Sequence, residues 1–382
     1  MAQQPTVTLP PGRDNLKKPP VVSIGFLGWI RTNLFSTWYN TLFTLLGVYI
    51  LYLVFPPLFQ WAILDAVWSG EDRTVCEWYD EDKVKYRAGA CWLMVKVYFN
   101  FFTYGFYPDE LQWRINLAFI ILAISFSLMF IPNFKKKHYV GIFLFVFYPF
   151  IAFFLLSGNE SLGLEYVSTH KWGGLFLTFL LGSIGIVFAL PLGIILALGR
   201  RSKLPVVRLL SVIFIEFWRG IPLITVLFFA AVMFPLFVPQ GVEIDNLLRC
   251  IVGLTLFGGA YMAEVVRGGL QALPKGQYEA AQAVGLGYWK MMALIIMPQA
   301  LRIVIPGIVN TFIGLFKDTT LVFIISLMDL LLTVFTTNSN PDWMGFPFEG
   351  YIYAALVYFI ICFSLSRYSL RVENKLMVAK QG

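Results

Sequence analysis

A short polar cluster interrupts an otherwise apolar stretch near residue 318. Lys317, Asp318, Thr319 and Thr320 are consecutive, and Asn310 lies about two helical turns earlier. Ionisable groups inside a membrane span cost about 2.5–3.5 kcal/mol each on insertion scales, so they mark either function or a buried pair. Together these side chains can bind a ligand that carries both an ammonium and a carboxylate group, and so line a substrate pathway. The alternative is a local Lys–Asp pair that only interrupts the helix.

Two further pairs of opposite charge occur beside apolar segments. Glu216 and Arg219 precede such a segment, and Pro222 follows them, which predicts a kink in the backbone. They can form either a gate or an internal ion pair. Glu264 and Arg267 are three residues apart, so on a helix their side chains share one face and can pair. We expect this second pair to be structural.

The motifs of several enzyme classes are absent from the sequence. It contains no G-x-x-x-x-G-K-[ST] loop for ATP phosphates and no H-E-x-x-H metal site. The two histidines, His138 and His170, fall in predicted loops. We therefore expect a protein that is not an enzyme and binds no metal or cofactor itself.

Four cysteines are present. Cys250 and Cys362 lie in apolar segments and are interpreted as packing residues. Cys76 and Cys91 lie in one acidic loop. They can form a disulfide if that loop faces an oxidising compartment, and the sequence leaves the pairing open.

The composition indicates a membrane protein. Of the 382 residues, 58% are hydrophobic and only 13% are charged, about half the charged fraction of a soluble domain. A bilayer-spanning helix needs about 20 mostly apolar residues. The sequence therefore predicts an all-α, polytopic membrane protein with about eight transmembrane helices. Their predicted ranges are 41–64, 114–132, 139–157, 173–199, 217–238, 248–267, 303–332 and 351–368. The apolar run 91–108 contains Lys96 and Asn100 and is predicted to lie at the membrane interface.

The positive charges predict the orientation. The net charge is +7, and Lys and Arg accumulate in alternate loops, as is typical of cytoplasmic loops. Both termini are then cytoplasmic. The basic segments are the N-terminal one with Arg13, Lys17, Lys18 and Arg31, the loop 135–138, the loop 199–208 and the C-terminal one from Arg367 to Lys380.

The predicted organisation has four parts. Residues 1–40 form an N-terminal cytoplasmic tail, and 41–169 form an accessory region with three spans and a periplasmic loop at 65–113. Residues 170–370 carry nearly all the unusual polar residues and form a five-span core. A cytoplasmic tail, 371–382, ends the chain.

The stretch 273–302 is too polar to span a bilayer and contains well-placed helix signals. Pro274 suits a first helical turn, Glu279 lies early in the helix, and Gly285 is a suitable stop. These signals predict a helix over 274–284. Its small residues, among them Ala280 and Ala281, allow another surface to approach closely. A second helix from Gly287 is bent back towards the membrane at Pro298.

Here the sequence resembles a known family. "EAAQAVG" followed nine residues later by "IIMP" is similar to the EAA loop of binding-protein-dependent ABC importer permeases, with Met297 in place of the usual leucine. "EFWRGIPL", "AEVVRGGLQALPKGQ" and "KDTTL" resemble the polar amino acid permeases within that family. "GACW" and "YPDELQWR" in the N-terminal part resemble the M-type subunit of general L-amino-acid systems.

The resemblance implies a type I importer core of five helices with a cytoplasmic coupling helix in the loop 271–298. It implies that Glu279, Ala280, Ala281, Gly285 and Pro298 couple the chain to an ATPase. The expected partners are a second permease subunit forming a heterodimer, two ATPase subunits that bind ATP and Mg, and a periplasmic amino-acid-binding protein. The expected substrates are acidic or neutral polar L-amino acids. The alternatives are an ion-gradient-driven secondary transporter and a non-transporting membrane scaffold; the absence of a detectable internal repeat argues against the first.

Overall fold

The computed structural model describes residues 25–79, 85–86, 89–131, 134, 136–239 and 241–381. Most of the predicted N-terminal tail, including Arg13, Lys17 and Lys18, lies outside these residues, as does Lys135. The chain divides into two compact units, 1–90 and 91–382.

The first unit contains one long apolar helix. Helix α1 (Gly25–Asn33) precedes α2 (Trp38–Phe59), which continues as a π-helical turn over Gln60–Leu64. No side chain of α2 is buried, as expected for a helix surrounded by lipid. A 3₁₀ turn (Arg73–Cys76) and the antiparallel strands β1 (Trp78–Tyr79) and β2 (Lys85–Tyr86) follow.

The second unit is a helical bundle. Its helices are α3 (Leu93–Val97), α4 (Phe99–Tyr104), α5 (Gln112–Phe130), α6 (Lys137–Ile142), α7 (Tyr148–Ser157), α8 (Gly174–Arg200), α9 (Pro205–Gly220), α10 (Leu223–Phe228), α11 (Asn246–Ala272), α12 (Lys275–Ala283), α13 (Tyr288–Met291), α14 (Met297–Ile303), α15 (Ile305–Asp318), α16 (Leu330–Asn338) and α17 (Pro347–Gln381). A two-residue strand, β3 (Met328–Asp329), precedes α16. The all-α, polytopic class predicted from the sequence is confirmed.

Five helices among the described residues are long and apolar enough to cross a bilayer. They are Trp38–Leu64, Gly174–Arg200, Asn246–Ala272, Ile305–Ile325 and Pro347–Glu373, and a bent pair, Pro205–Gly220 with Leu223–Phe237, makes a sixth if it is counted as one span. The predicted spans 114–132 and 139–157 coincide with helices, α5 and the run from α6 to α7, that are not among these five.

The predicted span 217–238 is not one continuous helix. Residues 217–220 belong to α9, and the chain bends by 100° before α10. Ile221 is extended (φ −107°, ψ 135°), as expected for a residue before proline, and Pro222 has no N–H with which to continue the helix. The kink inferred at Pro222 is therefore a sharp corner, and α9 is a separate helix.

Close packing of α8 on α11 forms the centre of the bundle. A Cβ atom added at Gly193 would lie 2.7 Å from the Cβ of Met262, and one added at Gly259 would lie 2.5 Å from Leu192 Cδ2. Both distances are too short for a real side chain. Glycine at these positions allows the two backbones to approach, which is how membrane helices pack without a hydrophobic driving force between them.

Helix α10 runs antiparallel to α11 and is attached to it by an arginine. The segment after α10, Phe229–Met233, is π-helical. Arg249 Nη1 donates to the carbonyl oxygens of Ala230 (2.9 Å) and Ala231 (2.5 Å), and its Nε donates to that of Ile244 (3.0 Å). The guanidinium thus satisfies carbonyl groups where the helix changes its winding.

The segment predicted to lie at the membrane interface, 91–108, forms two short helices that pack on the bundle. Leu93, Met94 and Phe102 are buried, and the ring of Phe102 stacks on Tyr353 of α17 at 5.4 Å. The buried carboxylate of Glu349, also in α17, accepts a hydrogen bond of 2.7 Å from the backbone N–H of Cys91. This aromatic and polar packing holds the segment against α17.

A buried polar group joins α8 to the short helix α16. Asp329 caps α16, and its carboxylate accepts hydrogen bonds from the N–H groups of Leu331 (3.2 Å) and Leu332 (2.9 Å). The hydroxyl of Thr178 in α8 accepts the N–H of Leu330 at 3.1 Å. Asp329 is completely buried, and this burial raises the pKa of its carboxyl to about 7.

This raised pKa predicts a pH-dependent stability. A carboxyl whose pKa is raised on folding stabilises the folded protein while it is protonated. This contribution is lost as the pH rises from the ordinary pKa of aspartate through its pKa in the folded protein. Between pH 5 and pH 8 the wild type should lose roughly 3 kcal/mol of unfolding free energy at this site. Asp329→Asn keeps the capping oxygen and should remove this part of the pH dependence.

The measurement is the melting temperature of the purified complex against pH for the wild type and the Asn variant. Parallel curves for the two proteins would show that Asp329 does not titrate in this way.

Candidate functional site

The helix predicted at 274–284 is present as α12, with Pro274 and Val284 as its flanking caps. The N–H of Gly285 bonds to the carbonyl of Gln282 (2.9 Å), and the N–H of Leu286 bonds to that of Ala281 (3.2 Å). This pair of bonds is the Schellman ending of a helix, and it requires the φ of +76° that Gly285 adopts. The helix therefore has a defined end rather than a frayed one.

Side-chain contacts attach α12 to the ends of α8 and α11. The Tyr278 hydroxyl donates to the carbonyl of Leu270 (3.0 Å) and accepts from Arg201 Nη1 (3.0 Å). The Arg201 guanidinium also lies 5.5 Å from the centre of the Tyr278 ring. Ala281 is buried against the bundle, so packing adds to these polar contacts.

The other side of α12 is exposed. Glu279 and Ala280 are both open to solvent. Val284 and Trp289, which follow on the same surface loop, are each 73% exposed, although both are apolar. A charged group, a small residue and exposed apolar side chains on an anchored helix are features of a surface that a partner covers.

The return of the chain to the membrane is built from a π-helical turn and a proline. After α13 the segment Met292–Ile296 is π-helical, and α14 begins at Met297 with Pro298 in its first turn. A proline is tolerated there because its missing N–H is not required. Pro298 thus follows a π-helical turn within a helical run that is unbroken from Tyr288 to Ile303, at the position where the sequence predicted a bend.

Three arginines surround the carboxylate of Glu264, and two of them, Arg219 and Arg267, were predicted ion-pair residues. Glu264 accepts from Arg267 Nη2 (2.6 Å) and Nε (2.9 Å) and from Arg200 Nη1 (2.8 Å), and Arg219 Nη1 lies 3.8 Å away. Arg200 Nη1 also lies 2.8 Å from the Glu216 carboxylate. The predicted Glu264–Arg267 pair is therefore present, whereas Glu216 and Arg219 contact different partners rather than each other. We name these five residues the Glu264 cluster.

Arg200 is the member that sequence reasoning missed. It is the last residue of α8, and it joins Glu216 of α9 to Glu264 of α11. The signal was its place in the basic loop 199–208, which was interpreted only as a marker of orientation. The cluster and α12 lie at the same end of the bundle, which we name the α12 end.

The predicted substrate patch is divided by the structure. Asn310 and Lys317 are exposed and lie seven residues apart on one face of α15, and Asp318 is half-buried at the end of that helix. Thr319 is completely buried and its hydroxyl donates to the carbonyl of Phe316 (2.7 Å), because the helix tightens to 3₁₀ geometry there. The Thr320 hydroxyl donates to the carbonyl of Lys317 (2.8 Å). Within the described residues Lys317 and Asp318 form no ion pair with each other.

The cysteines fall into two classes. Cys76 and Cys91 are both disulfide-bonded, and Cys250 and Cys362 are free.

A known family matches the C-terminal half of the chain. Residues 189–377 match the family described as "Binding-protein-dependent transport system inner membrane component". The inner membrane amino-acid ABC transporter permease protein YhdY of Escherichia coli (strain K12) is 52% identical over 350 residues, covering 91% of this chain and 92% of the relative. The chain belongs to this permease family.

Two further similarities were found. The glutamate/glutamine/aspartate/asparagine transport system permease protein BztC of Rhodobacter capsulatus is 38% identical, covering 94% of this chain and 95% of the relative. A solved structure described as an amino acid ABC transporter with histidines is 29% identical with a TM-score of 0.48, covering 53% of this chain and 92% of that chain.

Family membership confirms several expectations. The chain is a multi-pass inner-membrane permease subunit of an ABC importer and not an enzyme, and ATP hydrolysis takes place on a separate ATPase subunit. An ATPase and a binding protein are partners of this family. The ion-gradient alternative is not favoured.

The geometry of the Glu264 cluster predicts unequal effects for its two acidic residues. Glu264→Gln removes the charge that three guanidinium groups share in a mostly buried position, and should lower the unfolding free energy by about 2 kcal/mol. Glu216→Gln removes one contact of a carboxylate whose side chain is 54% exposed, and should cost less than about 1 kcal/mol.

Melting temperatures of the two variants in the assembled complex test this difference. Equal losses, or a larger loss for Glu216→Gln, would contradict the central position of Glu264.

Proposed function

We propose that this permease imports acidic and neutral polar L-amino acids, driven by ATP hydrolysis on two ATPase subunits that bind ATP and Mg. It pairs with a second, different permease subunit and receives substrate from a periplasmic amino-acid-binding protein. The chain itself holds no cofactor. The substrate class is supported by the relatives, one of which is described by the four amino acids glutamate, glutamine, aspartate and asparagine.

The proposed coupling role rests on the way in which α12 is attached to the bundle. It is a helix with fixed ends whose inner side is attached to α8 and α11 and whose outer side is exposed. Such a helix can transmit a displacement without bending. Closure of the ATPase pair around ATP would move α12, and Tyr278 and Arg201 would carry that movement into the ends of the spans.

The positive charge supports a cytoplasmic position for the α12 end. Arg200, Arg201, Lys203 and Arg208 lie within one short stretch there, as is typical of loops on the cytoplasmic side. Both termini then face the cytoplasm. This orientation places α12 on the side where ATP is available.

The exposed face of α15 supports a pathway between two permease subunits. Asn310 and Lys317 have no side-chain partner in this chain among the described residues, and Gly314 lies between them with nothing within 4 Å of an added Cβ. A second subunit against this face would enclose polar groups that suit a zwitterionic ligand. Asp318 lies beside them and can bind an ammonium group.

Charge reversal on α12 tests the coupling. Glu279→Lys changes an exposed residue and should leave folding intact, but it should place repulsion at the ATPase contact. In the reconstituted complex, ATP-driven uptake should fall at least tenfold, an effect of about 1.4 kcal/mol or more. Stimulation of ATP hydrolysis by the loaded binding protein should fall in parallel.

The matched control is Glu160→Lys, which reverses the charge of an exposed residue in a loop remote in sequence from α12. Unchanged uptake in Glu279→Lys, or an equal loss in both variants, would exclude a specific role for α12.

Substitutions on α15 test the pathway. Asp318→Asn removes the charge proposed to bind the ammonium group that all candidate substrates share, so uptake of all four amino acids should fall about tenfold. Lys317→Gln should reduce glutamate and aspartate uptake several times more than glutamine and asparagine uptake.

Thr319→Val is the control, because that hydroxyl is buried and bonds to a carbonyl of its own helix. It should reduce stability without changing the order of substrates. Wild-type rates and preferences in Asp318→Asn and Lys317→Gln would assign both residues a structural role.

A further inference from the structure

A basic cavity lies at the α12 end, between the last turns of α8 and α11 and the first turns of α9. Its volume is about 530 Å³, and it is lined by Arg200, Arg201, Ser202, Arg208, Arg267 and Gln271 together with Val212. A cavity of this size suits a small ligand or a lipid headgroup.

The positive charge of the cavity is only partly balanced. Glu216 and Glu264 neutralise Arg200 and Arg267. Among the described residues, the Arg201 guanidinium contacts the Tyr278 ring and hydroxyl but no carboxylate, and Arg208 is exposed and has no carboxylate partner either. Two guanidinium groups are therefore available to an anion, and guanidinium binds phosphate oxygens in a fixed, bidentate geometry.

Helix α9 places this cavity at the level of the bilayer surface. The chain bends by 100° between α9 and α10, and α10 runs along α11. The contacts of α9 begin at Gly199, at the end of α8, and its Arg219 reaches Glu264, about two turns before the end of α11. Because α10 runs along α11, the 100° bend turns α9 across the last turns of α8 and α11, towards the plane of the membrane.

The composition of α9 fits that plane. Val206, Leu209, Leu210, Ile213 and Phe217 recur at helical spacing and are each more than half exposed. Arg208 and Val212 lie on the side that lines the cavity. A helix with an exposed apolar face and basic residues beside it is typical of the membrane interface.

We propose that this cavity binds the phosphate of an anionic phospholipid from the cytoplasmic leaflet, with the acyl chains lying along the apolar face of α9. Arg208 and Arg201 contact the phosphate oxygens, and the Ser202 hydroxyl and Gln271 amide bind the remaining polar groups of the head. Basic pockets between helix ends on the cytoplasmic side are suited to such headgroups. The leaflet assignment rests on the orientation proposed above, whereas the binding chemistry does not.

The site would connect lipid composition to the coupling region. Arg201 lies between the cavity and Tyr278 of α12, and Arg200 and Arg267 belong to the Glu264 cluster. A bound phosphate would reduce the repulsion among these arginines. Lipid occupancy should therefore raise the melting temperature of the complex.

The experiment measures retained lipid by native mass spectrometry of the complete complex in detergent, titrated with phosphatidylglycerol or phosphatidylcholine. We expect one tightly held phosphatidylglycerol per copy of this chain and no comparable retention of phosphatidylcholine. Arg208→Gln should weaken phosphatidylglycerol binding about fivefold, and Arg208→Glu about twentyfold. Arg302→Gln, at an exposed arginine outside the cavity, is the matched control and should bind as the wild type does.

Several results would overturn the proposal. These are equal phosphatidylglycerol binding in all four proteins, equal retention of the two lipids, and displacement of the lipid by an equal concentration of soluble glycerol phosphate, which would indicate a free-phosphate site. Transport is not part of the readout. A negative result in this experiment therefore does not bear on the proposed import function, which is tested separately by the uptake measurements.

Discussion

A single carboxylate, that of Glu264, controls how three helices meet at the α12 end. Three arginines from α8, α9 and α11 lie within 3.8 Å of it, and no two of them would remain so close without a negative charge between them. The close packing of α8 on α11 brings the helix ends together. The negative charge of Glu264 offsets the repulsion among the three arginines that this packing brings close. The position of α9, and through it the basic cavity, depends on the same charge.

The backbone properties of proline and glycine determine where helices end or turn at the α12 end. Pro222 ends α9 and forces the corner that leads to α10, and Gly285 ends α12 with a left-handed residue. Pro298, in contrast, follows the π-helical turn Met292–Ile296 within one helical run. Pro222 acts through the hydrogen bond that it cannot donate and Gly285 through the backbone angle that it can adopt, so both mark sharp joints between rigid segments.

Local chemistry also decided what the sequence could predict. The bounds of α12 were predicted to within one residue because a proline and a glycine mark its two ends. The span 217–238 was predicted as one segment because Pro222 indicates a kink but not the size of the bend, which is 100°. Thr319 was predicted to line the substrate pathway with its polar neighbours. It is buried instead, where the helix changes from α to 3₁₀ winding, and this change has no clear signal in the sequence.

Contacts between residues far apart in the chain could not be predicted from the sequence for a different reason. Arg200 and Glu264 are 64 residues apart, and only the parallel packing of α8 and α11 brings them together. The N–H of Leu330, next to the buried Asp329, bonds likewise to Thr178, in a helix more than a hundred residues earlier. A single sequence gives the type of each charged group but not the partner that tertiary packing supplies.

The shared hydroxyl of Tyr278 has a consequence for how such permeases can be recombined. The Tyr278 hydroxyl bonds both to the carbonyl of Leu270 in α11 and to Arg201 after α8. Helix α12 therefore cannot be exchanged independently of the helices that it contacts. A chimaera that exchanges only residues 275–286 with another permease would separate this tyrosine from its arginine unless the recipient supplies the same pair. The smallest transferable module therefore comprises two distant pieces of chain, one with Tyr278 and one with Arg201.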